Sequence, residues 1–292
     1  MEIIPFDDRD GKIWFNGEMV DWRDAKTHVL NHGLHYASSV FEGERAYNGR
    51  IFEDAWHTKR LRESAHHLDF QIPYSDEEIM DAKHAVLEAN GITDGYIRPV
   101  AWRGSEMMAI SAQQSKTHLL IAAWEWGSYF DPELKMRGIT LDISEWKRPS
   151  PETAPVHAKA AGLYMICTLS KHAAEKKGFT DAMMLDYRGY VAEATGANIF
   201  FLMDDGKVHT PMADCFLNGI TRQTVVNLVR DLGYDVVERH IMPDELANVT
   251  ECFLTGTAAE VTPVSQIGDN NFNPGSLCRT VMDSYAALVR GE

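Results

Sequence analysis

His157-Ala158-Lys159-Ala160-Ala161-Gly162-Leu163-Tyr164 sets a single lysine among small, mostly apolar residues. Beyond it, residues 160–177 carry a helical pattern that stops at Gly178, and residues 181–186 then read as a strand. A solvated lysine ordinarily has polar neighbours. Small apolar neighbours let other groups come close, and desolvation lowers an amine's pKa and frees its lone pair to attack a carbonyl. A lysine at a helix N-terminus that reaches water along its aliphatic stem accounts for the same residues. Local composition leaves both readings open.

Working outward, helix and strand signals continue to mix. Toward the N-terminus, Ile13-Trp14-Phe15-Asn16-Gly17-Glu18-Met19-Val20 reads as a hairpin, with Asn-Gly supplying the positive φ angles of a type I′ turn. Residues 56–68 form a helix with Leu61, Ala65 and Leu68 on one face. A second starts at Ser75, with Glu78 completing a capping box, and ends at Gly91. Residues 119–124 are a buried strand. The short stretch 127–131, with Gly, Ser and Asp, marks a domain joint.

Toward the C-terminus, residues 138–144 and 198–203 are strands, and Asp204-Asp205-Gly206-Lys207 turns the chain into 208–211. Residues 220–232 are a helix stopped by Gly233, 251–255 a strand, and 276–289 a closing helix. The expected fold is therefore α/β or mixed α+β in two domains. These are a small N-terminal α/β domain over 1–126, a joint over 127–133 and a larger domain over 134–292.

Composition excludes several function classes. Lys plus Arg is 28 and Asp plus Glu is 43, a formal charge of −15, which sets nucleic-acid binding aside. Hydrophobic residues at 45% and charged residues at 24% fit an ordinary globular protein. No apolar run approaches the length of a bilayer span, and the N-terminus has no signal-like segment, so a cytoplasmic protein without a membrane partner is expected. Cys167, Cys215, Cys252 and Cys278 are scattered without a CxxC pair, as reduced thiols would be. His66-His67 diverge by about 100° on a helix and chelate poorly, so no metal site is expected.

Three further segments carry chemistry. Gly219-Ile220-Thr221-Arg222 opens a strong helix pattern, and a glycine followed by a hydroxyl at a helix N-terminus can cradle a phosphate. Many ordinary helices start the same way. Gly256-Thr257-Ala258-Ala259 follows a strand and offers a second tight turn with a hydroxyl. Glu193, inside the apolar run Tyr190-Val191-Ala192-Glu193-Ala194, needs a partner. A protonated ring nitrogen would be one; a rim carboxylate satisfied by the protein is the alternative.

Together these residues resemble the fold-type IV aminotransferases, most closely the branched-chain amino acid aminotransferases. The resemblance rests on Val40-Phe41-Glu42-Gly43, Arg60-Leu61, Tyr96-Ile97-Arg98-Pro99 and Lys159-x-x-x-x-Tyr164. It continues through Glu193-x-x-Gly196-x-Asn198-Ile199-Phe200, Gly219–Arg222 and Gly256-Thr257-Ala258-Ala259-Glu260-Val261-Thr262-Pro263-Val264. Each segment is modest alone, but seven in order make a specific signal.

The resemblance implies pyridoxal 5'-phosphate as cofactor, with Lys159 as catalytic residue, holding it as a Schiff base and shuttling a proton. Glu193 would pair with the pyridine nitrogen and Tyr164 with the phenolic oxygen. Arg60, Ile220, Thr221 and Thr257 would hold the phosphate, and Leu217 would pack on the ring. For the substrate, Phe41, Tyr36, Trp126 and Tyr129 match an aromatic wall beside Gly43. Tyr96, Arg98 and Arg45 match the groups that handle carboxylates, and the Thr257-Ala258 turn would receive the α-carboxylate. The implied reaction moves the amino group of Leu, Ile or Val to 2-oxoglutarate in a ping-pong cycle, within a homodimer or higher homo-oligomer.

Three departures bear on substrate range. Glu44 stands where the branched-chain enzymes usually carry an apolar residue; it either pairs with Arg45, points to solvent, or alters the polar side of the pocket. Trp102-Arg103-Gly104-Ser105 looks more like the D-amino acid aminotransferase loop, but Glu106-Met107-Met108-Ala109-Ile110 lacks that group's Arg-x-His trap and would give an apolar lining. Leu163 and Ala197 replace polar residues. A D-amino acid or (R)-amine transaminase, an aminodeoxychorismate lyase, and a cofactor-binding scaffold without turnover are the competing readings.

Overall fold

The computed structural model describes residues 4–126 and 132–292, with the side chains of 132–134 left aside. Tyr129 and residues 127–131 of the expected joint lie outside the described residues. The chain forms two compact units: Met1–Gly127 with Ala158–Gly162, and Ser128–His157 with Leu163–Glu292.

The first unit is built on one sheet. Strand β1 (Lys12–Phe15) pairs with β2 (Glu18–Asp21) in the register Ile13↔Val20, across Asn16 and Gly17 at φ 52° and 99°. This is the turn those two residues demand. Helix α1 (His32–Tyr36) leads to β3 (Ser39–Phe41), β4 (Glu44–Tyr47) and β5 (Arg50–Ile51). Helices α2 (Asp54–His67) and α3 (Asp76–Ala89) precede the long pair β6 (Gly95–Arg103) and β7 (Thr117–Glu125). The sheet runs β2-β1-β7-β6-β4-β5, with β3 also on β6, and every pairing is antiparallel. The capping box is present: Glu78 N–H donates to Ser75 Oγ at 3.1 Å, and Ser75 N–H to Glu78 Oε2 at 2.6 Å. Leu61 and Ala65 are buried on α2 as their spacing predicts.

The second unit holds a nine-stranded mixed sheet. It begins with α4 (Pro132–Arg137), β8 (Ile139–Ile143), α5 (Met165–Lys176), β9 (Asp181–Leu185), β10 (Val191–Ala194), β11 (Asn198–Met203) and β12 (Val208–Pro211). It closes with α6 (Ile220–Asp231), β13 (Val236–Arg239), β14 (Val249–Gly256), β15 (Glu260–Ile267), β16 (Asn270–Asn271) and α7 (Ser276–Arg290). The order is β10-β9-β8-β15-β14-β11-β12-β13, with β16 on β15. The pairs β8–β9, β8–β15 and β12–β13 are parallel. Leu141, Met183, Ile199, Phe201, Leu254 and Val264 fill its core. The mixture of helix and strand matches the expected class.

One expectation fails locally. Residues 160–177 do not form a continuous helix. Ala160 makes an antiparallel bridge with Val40, Ala161–Tyr164 are a 3-10 turn, and α5 starts at Met165. The alanines favour helix, but the main chain around them is already committed to strand-type bonds, and those tertiary bonds win.

Candidate active site

In the first unit, Lys159 sits in this extended piece of chain. Its N–H donates to Ser64 Oγ at 2.9 Å, and its carbonyl accepts from Phe41 N–H at 3.1 Å. Ala158 and Ala160 on either side are buried, and Nζ lies 5.1 Å from the centre of the Phe41 ring. The backbone is thus clamped on both sides of the residue that carries the amine.

The face of α2 that supplies Ser64 also carries His57 and Arg60, at the i, i+3, i+7 spacing that aligns side chains. Glu42, fully buried, accepts from Arg60 Nε at 2.7 Å, Arg60 Nη2 at 2.8 Å and His57 Nδ1 at 2.6 Å. Burial alone would push this carboxyl up; the Arg60 charge and the His57 ring outweigh it and hold Glu42 well below the usual carboxylate range. Burial depresses His57 below its ordinary value despite the pull of Glu42, and Nδ1 faces the carboxylate as the donor.

Glu44 neither pairs with Arg45 nor points to solvent. It is fully buried, turned by strand alternation away from Arg45, and accepts from Lys83 Nζ at 2.8 Å. Lys83 also donates to Asp54 at 2.7 Å and to Thr58 Oγ1 at 2.7 Å. Burial pushes Glu44 up to about 8, against the pull of Lys83. Burial would lower Lys83, but Glu44 and Asp54 more than offset it, so it stays cationic.

The other residues expected to meet substrate gather on β6 and around it. Arg98 Nη2 donates to Tyr96 Oη at 3.0 Å, and the Arg98 guanidinium lies 4.7 Å over the Phe41 ring. A Cβ on Gly43 would stand 1.9 Å from Tyr96 Oη, so the glycine is what lets Tyr96 reach Arg98. Tyr96 packs on Trp124 and Trp126 at 5.2 and 5.5 Å, and Arg45 Nη2 donates to the Trp126 carbonyl at 3.3 Å. Arg98 and Trp126 line a hollow of about 760 Å³ with Phe6, Trp22 and Trp124. Tyr36 stands apart from this group: it is 42% exposed on α1 with its ring against His32. Trp102 is buried against His118 and Arg103 lies over Phe70, while Met108 and Ile110 are exposed.

In the second unit, Glu193 is buried on β10. Its Oε1 is 3.3 Å from Arg148 Nε, and its Oε2 accepts from Asn198 Nδ2 at 3.1 Å. Arg148 is itself buried. Burial would lower its pKa, but the negative charge of Glu193, then Cys167 and Tyr164, raises it, which groups Tyr164 with Glu193 around one guanidinium. Asn198 Nδ2 also donates to the Leu217 carbonyl at 3.1 Å. Two residues on, Gly219 caps α6 without a side-chain acceptor, and a Cβ there would stand 2.3 Å from Asn198 Oδ1. Ile220 and Thr221 are the first buried residues of that helix. Thr257 and Ala258 form the turn between β14 and β15, half-buried, before Glu260 at φ 53°.

This set fits the cofactor the resemblance implies. A buried carboxylate fixed by an arginine and an amide suits a protonated ring nitrogen. The first-turn N–H groups of α6, with no side chain capping them, suit a phosphate. The sequence reading gave no role to Arg148, Ser64 or Glu42. The signal for Glu42 was present: an acid between Phe41 and Gly43 on an apolar strand needs a buried cation. Elsewhere, Asp186, Asp214 and Cys215 have the spacing of metal ligands, but Arg188 sits on the two carboxylates at 2.7 and 2.9 Å.

Residues 39–267 match the family model described as amino-transferase class IV, and the chain belongs to that family. It is 43% identical over 98% of its length to a branched-chain-amino-acid aminotransferase of Pseudomonas aeruginosa, covering 95% of that protein. A probable branched-chain-amino-acid aminotransferase of Rickettsia felis is 41% identical over 99% of this chain and 100% of its own length. The crystal structure of a T.th. branched-chain amino acid aminotransferase with pyridoxamine 5'-phosphate superposes with a TM-score of 0.93 at 39% identity, covering 97% of this chain and 95% of that one. The same enzyme has been solved with N-(5'-phosphopyridoxyl)-L-glutamate and with 4-methylvaleric acid. Among the described residues no helix is long and apolar enough to cross a membrane.

Proposed function

We propose that this chain is a pyridoxal-phosphate-dependent transaminase that moves the amino group of branched-chain L-amino acids to 2-oxoglutarate, giving branched 2-oxo acids and L-glutamate. The observation that carries it is the buried Glu193 carboxylate, fixed by Arg148 and by the same Asn198 that ties down the approach to the uncapped N-terminus of α6. An anion for the ring and N–H groups for the phosphate are both supplied. The T.th. enzyme supports the substrate class, since its complexes hold one ligand with a glutamate part and one branched aliphatic acid.

Bound pyridoxal phosphate supplies an electron sink for the bond broken at the substrate Cα. Lys159, clamped at its main chain, would carry the proton from the substrate Cα to the C4′ position of the cofactor. Glu193 keeps the ring nitrogen protonated, and Tyr164 holds the phenolic oxygen. Arg60, Ile220, Thr221 and Thr257 anchor the phosphate, and Leu217 bears on the ring. Phe41 and Trp126 face an aliphatic side chain, with Tyr36 and Tyr129 expected to close the wall. Arg98, Tyr96 and Arg45 receive a distal carboxylate, and the Thr257-Ala258 turn receives the α-carboxylate. On this reading the first unit forms most of the substrate pocket and the second holds most of the cofactor.

We also propose a cytoplasmic homodimer or higher homo-oligomer. Val29, Leu30, Leu34, Tyr36, Met108 and Ile110 are all exposed, and His32 ties their two segments together through Gly104 and Ala109. Such a patch fits a self-association surface. Light scattering that finds a monomer would remove this part.

The test of activity is half-reaction spectroscopy with L-leucine, L-valine, D-alanine and (R)-phenylethylamine. The proposal expects conversion of the cofactor by the two L-amino acids. Conversion by D-alanine alone would overturn it, and so would no spectral change with any donor.

A further inference from the structure

We propose that Glu42 is a positioning residue for the cofactor's phosphate: it sets the plane and direction of the Arg60 guanidinium before the phosphate arrives. This rests on the proposed pyridoxal phosphate function, and in particular on Arg60 as a phosphate ligand.

The argument starts from the bidentate pair. Glu42 takes the Nε and Nη2 edge of Arg60 with both oxygens, at 2.7 and 2.8 Å. Two parallel bonds fix a planar guanidinium in orientation as well as position, which a single bond does not. The Nη1 corner then points away from Glu42. The carboxylate is itself held from every side. Its main-chain N–H donates to the Pro99 carbonyl at 2.9 Å, its Oε2 accepts from His57, and Gly43 N–H approaches that oxygen at 3.3 Å. Arg60 engages both oxygens of Glu42, whereas His57 reaches Oε2 alone.

A buried ion pair is a poor device for stability, because desolvating two charges offsets most of their attraction. It is a good device for geometry. The neighbouring cluster of Glu44, Lys83, Asp54 and Thr58 joins β4, α2 and α3 directly behind the pair. The link from β3 to β4, which carries Glu42, and helix α2, which carries Arg60, are therefore tied together twice. The same strand segment reaches Lys159 through Phe41, and the same helix face reaches it through Ser64. Setting Arg60 and seating the lysine are one structural event.

The test titrates apoprotein with pyridoxal phosphate and, separately, with pyridoxal, which lacks the phosphate. Wild type, Glu42→Gln, Glu42→Asp, Arg60→Met and the double variant Glu42→Gln/Arg60→Met are compared. Glu42→Gln is expected to weaken pyridoxal phosphate binding by about ten- to a hundredfold, the worth of a charged hydrogen bond, and to leave pyridoxal within about twofold. Glu42→Asp recovers part of the loss. In the Arg60→Met background the Glu42 change adds little. Equal weakening of both ligands would mean a general structural role and overturn the inference, as would unchanged binding of both. If Glu42→Gln does not fold, Glu42→Asp against Arg60→Met carries the same comparison. A wild-type protein that binds neither ligand sinks the parent function and this inference together. One that binds both normally while Glu42 variants behave like wild type sinks the inference alone.

Discussion

The main-chain N–H of Lys159 donates to the hydroxyl of Ser64, 95 residues earlier, at 2.9 Å, and that hydroxyl is fully buried on α2. Removing the hydroxyl leaves a main-chain donor without an acceptor. Ser64→Ala is expected to cost about 1–3 kcal/mol, the usual penalty for such a group. It should also slow the donor half-reaction by loosening the lysine's mooring. Thermal unfolding and single-turnover absorbance measure the two effects, and an unchanged melting temperature would show that the bond contributes nothing.

Gly43 has no room for a methyl group. Gly43→Ala would drive its Cβ into Tyr96 Oη and break the 3.0 Å bond from Arg98. Overpacking of this kind costs about 1–3 kcal/mol. The kinetic expectation is selective: under the proposed function, in which Arg98 receives the distal carboxylate, KM for 2-oxoglutarate rises more than KM for the branched 2-oxo acids. A parallel rise in both would break the link between Arg98 and the distal carboxylate.

Glu193 and Arg148 can be separated by their double variant. Taking one partner from a buried ion pair costs about 3–5 kcal/mol, because the other charge stays behind. Glu193→Gln and Arg148→Met should each lower the melting temperature. Combined, they should recover much of the stability and, under the proposed role of Glu193 as the anion for the ring nitrogen, none of the transamination. Recovered activity in the double variant would rule out the assigned role of Glu193.

Glu44 makes a pH prediction. Its folded value of about 8 lies above its ordinary value near 4.5. The folded protein therefore keeps a proton that the unfolded chain has released. Its contribution is fully present below about pH 4.5 and is lost as pH rises through about 8. Glu44→Gln cannot titrate, so its melting temperature relative to wild type should climb from pH 5 to pH 9. A difference that stays flat would mean Glu44 is ionised throughout.

The cysteines should resist labelling. Burial pushes Cys167 to about 11 and Cys215 to about 12, and also raises Cys252 and Cys278 well above the ordinary thiol value. The thiolate is the reactive form. At pH 8 a disulfide reagent is expected to modify none of them until denaturant is added. Prompt modification of the folded protein would contradict this burial.

The elements that could be read from the chain are those whose cause is local. The Asn16-Gly17 turn and the Ser75–Glu78 capping box need only residues within reach of each other. The extended stretch around Lys159 could not be read this way, because Phe41, Val40 and Ser64 impose it from far along the chain. Glu44 was misplaced for the same reason. Its neighbours in sequence suggested Arg45, but strand alternation turns it to the other face, where α3 brings Lys83. The candidate site residues carry chemical types that stand out in sequence. Their supports, Arg148 and Ser64, are ordinary residues whose meaning appears only once the chain is folded.

The strand-like stitching of Lys159 to Phe41 and Val40 has a consequence for how this molecule could be dissected. No single cut yields two self-sufficient pieces. A fragment ending before the joint leaves behind the peptide that completes its own weave, while the remaining fragment carries Lys159 as a loose thread. Split halves co-expressed in one cell should therefore regain colour only when the C-terminal piece lends that thread back.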